Sequence, residues 1–258
     1  MQQGPDLIFV GYGVSDTLQL TVEAQRALTR FGKVYALHVP PNLKRYLKSL
    51  QVECIDLADR FSEKRPFSEV YLGIADFILQ CAAVERPVIF LTQGNPLFLN
   101  SLNRFLLMQA KQRKLSVQVY PGVSPLDALV CDLGLDISTF GLQIFDARRL
   151  VTRKQQINPT VPLLVLQLAG FAVEEAGPQP EPDPKEYQPL ASYLAQFYPP
   201  EHPVSLVNTA YGQKRGGHAT VRLSRLLDLV PHVGTTSHLF IDAIRQGPLA
   251  RPQERPEK

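Results

Sequence analysis

The sequence predicts an α/β protein with a mainly parallel sheet in its first half and a mixed sheet in its second half. Strand-like apolar runs alternate with helical patterns up to about residue 120, and 14 of the 22 prolines follow residue 155. The 258 residues suffice for about two domains. We therefore predict an N-terminal α/β domain over residues 1–120, a C-terminal mixed α/β domain over 121–245 and a disordered tail over 246–258, which is rich in Pro, Arg and Glu.

The first half begins with the apolar run 7–10, which predicts a buried strand that ends at Gly11. Asp16 is placed to cap a following helix, whose apolar residues recur at helical spacing up to Phe31. The clearest helix covers residues 67–85, and another covers 99–112. The remaining strands are predicted at 34–39, 52–55, 88–92 and 117–120. Parallel neighbours need a crossover, which is normally a helix, so this alternation predicts a parallel sheet.

The second half contains four strand-like apolar runs, at 163–168, 204–208, 219–223 and 237–242. The proline-rich stretch 177–184 predicts an extended surface loop, because proline has no amide proton to donate to a sheet. A short helix is predicted over residues 187–198. Few helices accompany these strands, so a mixed sheet is expected.

Composition excludes several classes of protein. A hydrophobic content of 45% and a net charge of +3 argue against a disordered body and against a nucleic-acid-binding tail. No uninterrupted apolar run predicts a membrane span, and the N-terminus lacks a secretory pattern, so we expect a cytoplasmic protein that binds neither membrane nor nucleic acid. The three cysteines and five histidines show no metal-ligand spacing.

Three loops follow predicted strands of the first half, and each is rich in glycine or proline. They are Gly11–Asp16, Gln93–Pro96 and Tyr120–Pro125. The carboxyl ends of parallel strands meet at one edge of a sheet, which is where open α/β folds bind ligands. Each loop alone is compatible with a plain turn. A dinucleotide fingerprint would require a third glycine in place of Asp16, so the nicotinamide hypothesis is disfavoured.

These loops, in this order and spacing, resemble the tetrapyrrole methylase superfamily of S-adenosylmethionine-dependent methyltransferases. The block from Pro121 to Asp127, with the segments Asp132–Asp136 and Leu150–Lys154, is most similar to the borosin peptide backbone N-methyltransferases. The resemblance extends to about Ala243. It implies a two-domain fold, S-adenosylmethionine held in a cleft between the domains, and a homodimer.

The resemblance also implies site residues. Tyr71 matches a catalytic tyrosine, and the implied cofactor-binding residues are Gly94, Asn95, Pro96, Phe98, Ser124, Pro125, Gln167, Thr236 and Ser237. Other positions depart from the family pattern. Ser15 replaces a glycine, Asn95 replaces an aspartate or histidine, Phe67 stands at the position of an arginine, and Gln93 at that of a tyrosine. Lys64 and Arg65, one turn before Phe67, offer an alternative source of positive charge.

Three hypotheses on function remain open. The first is peptide backbone α-N-methylation in trans on a separate peptide, which the block from Pro121 to Asp127 favours. The second is methylation of a small molecule or tetrapyrrole that carries a reactive nucleophile. Phe67 favours the second, because an amide nitrogen needs its proton removed and the resulting charge stabilised. The third is a catalytically lapsed peptide-binding module, which the changes at Phe67, Gln93 and Asn95 suggest.

Overall fold

The computed structural model describes residues 4–15, 19–58, 64–177, 181–209 and 216–245. The chain divides into two compact units. The first comprises residues 1–135, 173–181 and 209–217, and the second comprises the remainder. The first unit thus continues beyond residue 120, where the sequence analysis placed a domain boundary. Asp16 and the tail expected to be disordered, 246–258, lie outside the described residues.

The sheet of the first unit has five strands: β1 (Leu7–Gly11), β2 (Lys33–Ala36), β3 (Glu53–Asp56), β4 (Val88–Thr92) and β5 (Val117–Tyr120). Their order is β3-β2-β4-β1-β5, and every pairing is parallel. The predicted parallel α/β architecture is confirmed. All five strands fall within or beside the apolar runs that predicted them.

Among the described residues, five α-helices accompany this sheet: α1 (Val22–Phe31), α2 (Pro41–Ser49), α3 (Phe67–Val84), α4 (Ser101–Gln112) and α5 (Pro125–Leu133). Alternate residues of β1 enter two different cores. Leu7 and Phe9 pack with side chains of α3 and α4, whereas Ile8 and Val10 pack with those of α1 and α2. Both faces of the sheet are therefore covered, as expected for a parallel sheet.

Two local details differ from the sequence analysis. Helix α1 is capped by Thr21, whose hydroxyl accepts a hydrogen bond from the Ala24 amide at 3.0 Å, and not by Asp16, the cap that the sequence predicts. Helix α3 has 18 residues with a mean hydropathy of 1.4 and so meets the length and composition of a membrane span. One face of it, with Val70, Ile74 and Ile78, is buried in the core of the first unit.

The second unit also contains a five-stranded sheet: β6 (Gln143–Asp146), β7 (Leu163–Leu166), β8 (Pro203–Asn208), β9 (His218–Arg222) and β10 (Ser237–Ile241). The order is β6-β7-β10-β8-β9; β6 and β7 are parallel and the other pairs antiparallel. The predicted mixed sheet is confirmed. The described part of this unit also has three short α-helices, α6 (Ile137–Phe140), α7 (Ala147–Thr152) and α8 (Gln188–Leu194), and 3-10 helices at Leu168–Gly170, Pro184–Tyr187 and Leu223–His232.

Candidate functional site

The three predicted loops lie side by side in the first unit, because β4, β1 and β5 are consecutive in the sheet. Backbone hydrogen bonds join the first two loops beyond the ends of their strands. The Tyr12 amide donates to the Thr92 carbonyl at 3.0 Å, and the Gly94 amide donates to the Gly13 carbonyl at 3.0 Å. The convergence of these loops at one edge of the sheet, predicted from sequence, is therefore observed.

Glycines permit direct contact between the backbones of all three loops. A Cβ atom built on Gly122 would lie 2.6 Å from the Gly94 carbonyl oxygen, and one on Gly11 would lie 2.6 Å from the Gly122 nitrogen. Side chains are therefore excluded at both positions. Gly94 is constrained differently, because its φ of +67° lies in the left-handed region. We call the packing of Gly11, Gly94 and Gly122 the glycine contact.

The third loop ends in a helix cap. The Ser124 amide and hydroxyl both donate to Asp127 Oδ2 at 2.7 Å, and the Ser124 hydroxyl accepts from the Asp127 amide at 3.3 Å. This reciprocal capping box fixes the first turn of α5, in which Pro125 is the first residue. Ser124 is buried, so its observed role is to anchor the loop to the helix.

The second loop is held by a residue that sequence reasoning missed. The side-chain amide of Asn103 donates to the Pro96 carbonyl at 3.0 Å and to the Thr92 hydroxyl at 3.3 Å. Asn103 is fully buried, and its Oδ1 atom has no partner among the described residues. Asn95 Oδ1 accepts from the Leu97 amide at 3.0 Å and so forms a turn within the loop. The only available signal was a polar residue on the buried face of α4.

The first loop depends on Gln19, which the sequence analysis also missed. Its Oε1 atom accepts from the amides of Val14 and Ser15 at 2.8 and 2.9 Å. Gly13 beside it has a φ of +83°. The turn is therefore shaped by a side chain that reaches back from beyond the loop.

Tyr71 lies in the second turn of α3. This helix begins at the carboxyl edge of the sheet, because it follows β3 and leads to the parallel strand β4. The Tyr71 ring lies 5.8 Å from the Phe67 ring, centroid to centroid. Burial raises the pKa of the Tyr71 phenol. Tyr71 therefore keeps its proton at neutral pH and is suited to donate a hydrogen bond, not to act as a base.

The segment before α3 is fixed by a return of the chain at residues 174–176. The Ala176 amide donates to the Arg65 carbonyl at 2.8 Å, and the Phe67 amide donates to the Glu174 carbonyl at 3.3 Å. Lys64 forms an ion pair with Glu175 at 3.3 Å. The Lys64 charge is thus partly balanced, which weakens the hypothesis that it replaces the arginine missing at Phe67.

The predicted cofactor residues of the second unit gather at one end of its sheet. Gln167 follows β7 and Ser237 begins β10, directly after Thr236, and these antiparallel strands are neighbours. The Ser237 hydroxyl donates to Asn208 Oδ1 at 2.6 Å and accepts from the Gly234 amide at 2.8 Å. Gln167 is exposed and has a φ of +58°, which is uncommon for a residue other than glycine.

Other chemistry-bearing groups fall outside these loops. Within the described ranges, no group of three or more His, Cys, Asp or Glu side chains is placed to hold a metal ion. Burial raises the pKa of the Cys54 thiol to about 11, which keeps it protonated and unreactive at neutral pH.

Comparison with known proteins is consistent with this geometry. The family model described as Tetrapyrrole (Corrin/Porphyrin) Methylases matches residues 6–210. A methyltransferase/gymnopeptide precursor of Gymnopus fusipes is 24% identical over 175 residues, which are 67% of this chain and 41% of that protein. The dendrothelin A precursor of Dendrothele bispora, also a methyltransferase, is 25% identical over 199 residues, 77% of this chain and 47% of that protein. The chain thus spans less than half the length of these relatives.

Solved structures share the fold. The uroporphyrin-III-C-methyltransferase of Thermus thermophilus has a TM-score of 0.64 at 18% identity. The superposition covers 92% of this chain and 91% of that enzyme. The same enzyme complexed with S-adenosyl homocysteine has a TM-score of 0.60 at 19% identity, with the same two shares covered. A cobalt precorrin-4 methyltransferase reaches 0.64 at 12% identity and covers 94% of this chain and 98% of its own.

Proposed function

The chain belongs to the tetrapyrrole methylase family, and on that premise we propose that it is an S-adenosylmethionine-dependent methyltransferase that acts in trans on the backbone of a separate peptide. The family uses S-adenosylmethionine, which supplies an electrophilic methyl group when bound. The observation that carries the proposal is the glycine contact, which places the backbones of three loops at the sheet edge where ligands of open α/β folds bind.

The loops fit this cofactor chemically. Among the described residues of the three loops, 11–15, 93–96 and 120–125, no side chain is charged, and Asp16, at the end of the first loop, lies outside the described residues. A sulfonium cation joined to an adenosine is suited to a site of carbonyl acceptors and apolar cover with few charged side chains. Gly94, Asn95 and Pro96 lie at this edge, and because the Gly94 amide and the Pro96 carbonyl have internal partners, we propose that the loop brings a fixed backbone close to the cofactor. Gln167, in the second unit, is proposed as a further contact.

Tyr71 and its neighbour Phe67 define what the protein contributes to methyl transfer. An amide nitrogen becomes a nucleophile only when its proton leaves and the charge on the amide oxygen is stabilised. We propose that the amide proton passes to water and that the Tyr71 hydroxyl, which burial keeps protonated, donates a hydrogen bond to the negatively charged amide oxygen. Phe67 packs beside it and provides no charge. The protein therefore contributes alignment and one hydrogen-bond donor.

The choice of a peptide substrate rests on the relatives, whose names combine a methyltransferase with a ribosomally synthesized peptide precursor. Phe67 favours the alternative of a small molecule or tetrapyrrole, because a more reactive nucleophile needs no positive charge at that position. We also propose that the protein forms a homodimer, on the basis of the family resemblance. Its proposed location is the cytoplasm, on the basis of the sequence composition.

The first test is calorimetric titration with S-adenosylmethionine and S-adenosylhomocysteine. Gln167→Gly removes the side chain and accepts the left-handed backbone without strain. Gln51→Gly is a matched control, since Gln51 is also an exposed glutamine and has a φ of +57°. We expect binding of both ligands, weakened by Gln167→Gly and unchanged by Gln51→Gly. Absence of binding in the wild-type protein would contradict the assignment of the cofactor.

The second test identifies the acceptor. The protein and S-adenosylmethionine are incubated with a synthetic peptide library that includes apolar and acidic sequences, or with uroporphyrinogen III, and products are analysed by tandem mass spectrometry. Methyl groups on peptide backbone nitrogens would support the proposal. Transfer to the tetrapyrrole alone would favour the second hypothesis, and cofactor binding without transfer to either would favour the lapsed binding module.

A further inference from the structure

Strand β5 is an open edge of the first sheet. It is the last strand in the order β3-β2-β4-β1-β5, and among the described residues it pairs only with β1. The Leu7 amide donates to the Ser116 carbonyl at 3.1 Å, so alternation along the strand turns the backbone groups of Val117 and Val119 away from β1. These amides and carbonyls are available to an additional strand.

The two edges of this sheet differ in charge. Strand β3, at the opposite edge, contains Glu53 and Asp56. Strand β5 has the sequence Val-Gln-Val-Tyr and contains neither a charge nor a proline, the usual features that prevent pairing at an exposed edge. Its edge is therefore compatible with strand addition, in which an extended segment binds through main-chain hydrogen bonds.

A groove flanks β5 on each face of the sheet, and both grooves are basic. On one face, a groove between α1 and Tyr120 is lined by Arg26 and Arg30, with the single acidic residue Glu23. On the other face, a groove between α4 and the start of β5 is lined by Lys111 and Lys114. All four cations are exposed. None of them forms an ion pair with a described residue.

The positions of the two grooves define the spacing between the side chains of an added strand that would face them. The lysine groove borders Val117, which packs toward the α3 and α4 core, and the arginine groove borders Tyr120, which packs toward the α1 and α2 core. Side chains of a strand alternate between faces, so residues three apart point to opposite faces. In an added strand, the residue beside Val117 would face the lysines and the residue three positions away, beside Tyr120, would face the arginines.

We propose that the β5 edge binds an extended acidic peptide segment with two carboxylate side chains spaced i and i+3, one for each basic groove. The proposal rests on the proposed function, because β5 leads within two residues from Tyr120 to Gly122 of the glycine contact and would thereby align a substrate peptide with that site. A second copy of this chain is a poorer occupant. Pairing two such edges would bring the same four cations of each copy together.

The test uses fluorescence anisotropy with a fluorescein-labelled octapeptide, Val-Glu-Val-Thr-Glu-Val-Thr-Gly, which has glutamates at i and i+3. Three matched probes carry lysines at those positions, glutamates at i and i+2, or N-methyl groups along the backbone. We expect the first probe to bind about tenfold more tightly than each of the others. Equal binding of the glutamate and lysine probes would overturn the proposal.

Protein variants locate the binding. Val119→Pro removes an outward amide at an edge position where proline is tolerated, and Arg26→Glu with Lys114→Glu reverses one charge in each groove. Both should weaken the first probe about tenfold, and the charge reversal should improve the lysine probe. Arg45→Glu, an exposed cation on α2, is the control that should change nothing. Unchanged affinity of the first probe for Val119→Pro would show that the peptide binds elsewhere and would refute binding at the β5 edge.

Two further measurements separate the possible failures. Titration of each variant with S-adenosylhomocysteine reports the cofactor site and folding independently of the edge. Loss of probe binding with intact cofactor binding supports the edge, whereas probe binding without cofactor binding would refute the proposed function and leave the edge standing. Sedimentation velocity tests the second-copy occupant. A dimer that disappears in Val119→Pro would show that the edge pairs with itself and would overturn the proposal.

Discussion

His238 should make the protein sensitive to mild acid. It lies in β10, opposite Val207, with only 5% of its surface exposed. Neither ring nitrogen has a partner among the described residues. Burial lowers the pKa of His238 from 6.5 to about 4, because the charged imidazolium is poorly solvated there.

The direction in which stability changes with pH follows from the pKa of His238 in the unfolded and in the folded protein. The unfolded chain binds a proton at its ordinary pKa, near 6.5, whereas the folded protein resists protonation until about pH 4. Stability is therefore lost as the pH falls from 6.5 toward 4 and is not lost further below that range. At about 1.4 kcal/mol for each pKa unit, the full loss is about 3 kcal/mol, of which about 2 kcal/mol is present at pH 5.

The assay is urea unfolding followed by circular dichroism at pH 7 and pH 5. His238→Leu replaces the imidazole with an apolar side chain of similar size and should lose about 2 kcal/mol less than the wild type between these pH values. His232→Asn, at an exposed position, is the control for removal of a histidine and should match the wild type. An equal acid loss in His238→Leu and wild type would refute the assignment of this sensitivity to burial of His238.

Four further substitutions test the site. Gly122→Ala should destabilise the protein by about 1–3 kcal/mol in urea unfolding, because its Cβ would lie 2.6 Å from the Gly94 oxygen. Ser124→Ala should cost about 1 kcal/mol in the same assay through loss of the α5 cap. Asn103→Leu, which releases the Pro96 carbonyl, should weaken S-adenosylhomocysteine binding about tenfold by calorimetry. Tyr71→Phe should reduce methyl transfer about 100-fold by mass spectrometry, with cofactor binding unchanged.

The parallel sheet could be predicted because its central strands are buried on both faces and appear as continuous apolar runs, such as 7–10 and 88–91. Strand β6 could not, because its sequence Gln-Ile-Phe-Asp is half polar and its identity depends on pairing with β7. Helix α2 was also missed. It buries only Leu43 and Leu47, one pair at i and i+4, which is too short a pattern to distinguish from a loop.

The loops of the candidate site could be predicted, because glycines at successive strand ends are visible in a sequence. The residues that hold those loops could not. Asn103 and Gln19 act through hydrogen bonds to backbone groups several residues away, and nothing in their local sequence distinguishes them from ordinary helix or turn residues. The α1 cap at Thr21 shows the same limit, since both Asp16 and Thr21 are good caps and tertiary structure selects between them.

The hydroxyls of the predicted cofactor residues Ser124 and Ser237 have internal partners. Ser124 caps α5 with Asp127, and Ser237 bonds to Asn208. The three loops are therefore held by backbone geometry and internal hydrogen bonds, and Ser15 is part of this arrangement through the bond from its amide to Gln19. The proposed methyl transfer depends instead on particular side chains, and Phe67 cannot supply a charge. Cofactor binding and methyl transfer are consequently separable properties, and Tyr71→Phe and Asn103→Leu should each disrupt a different one.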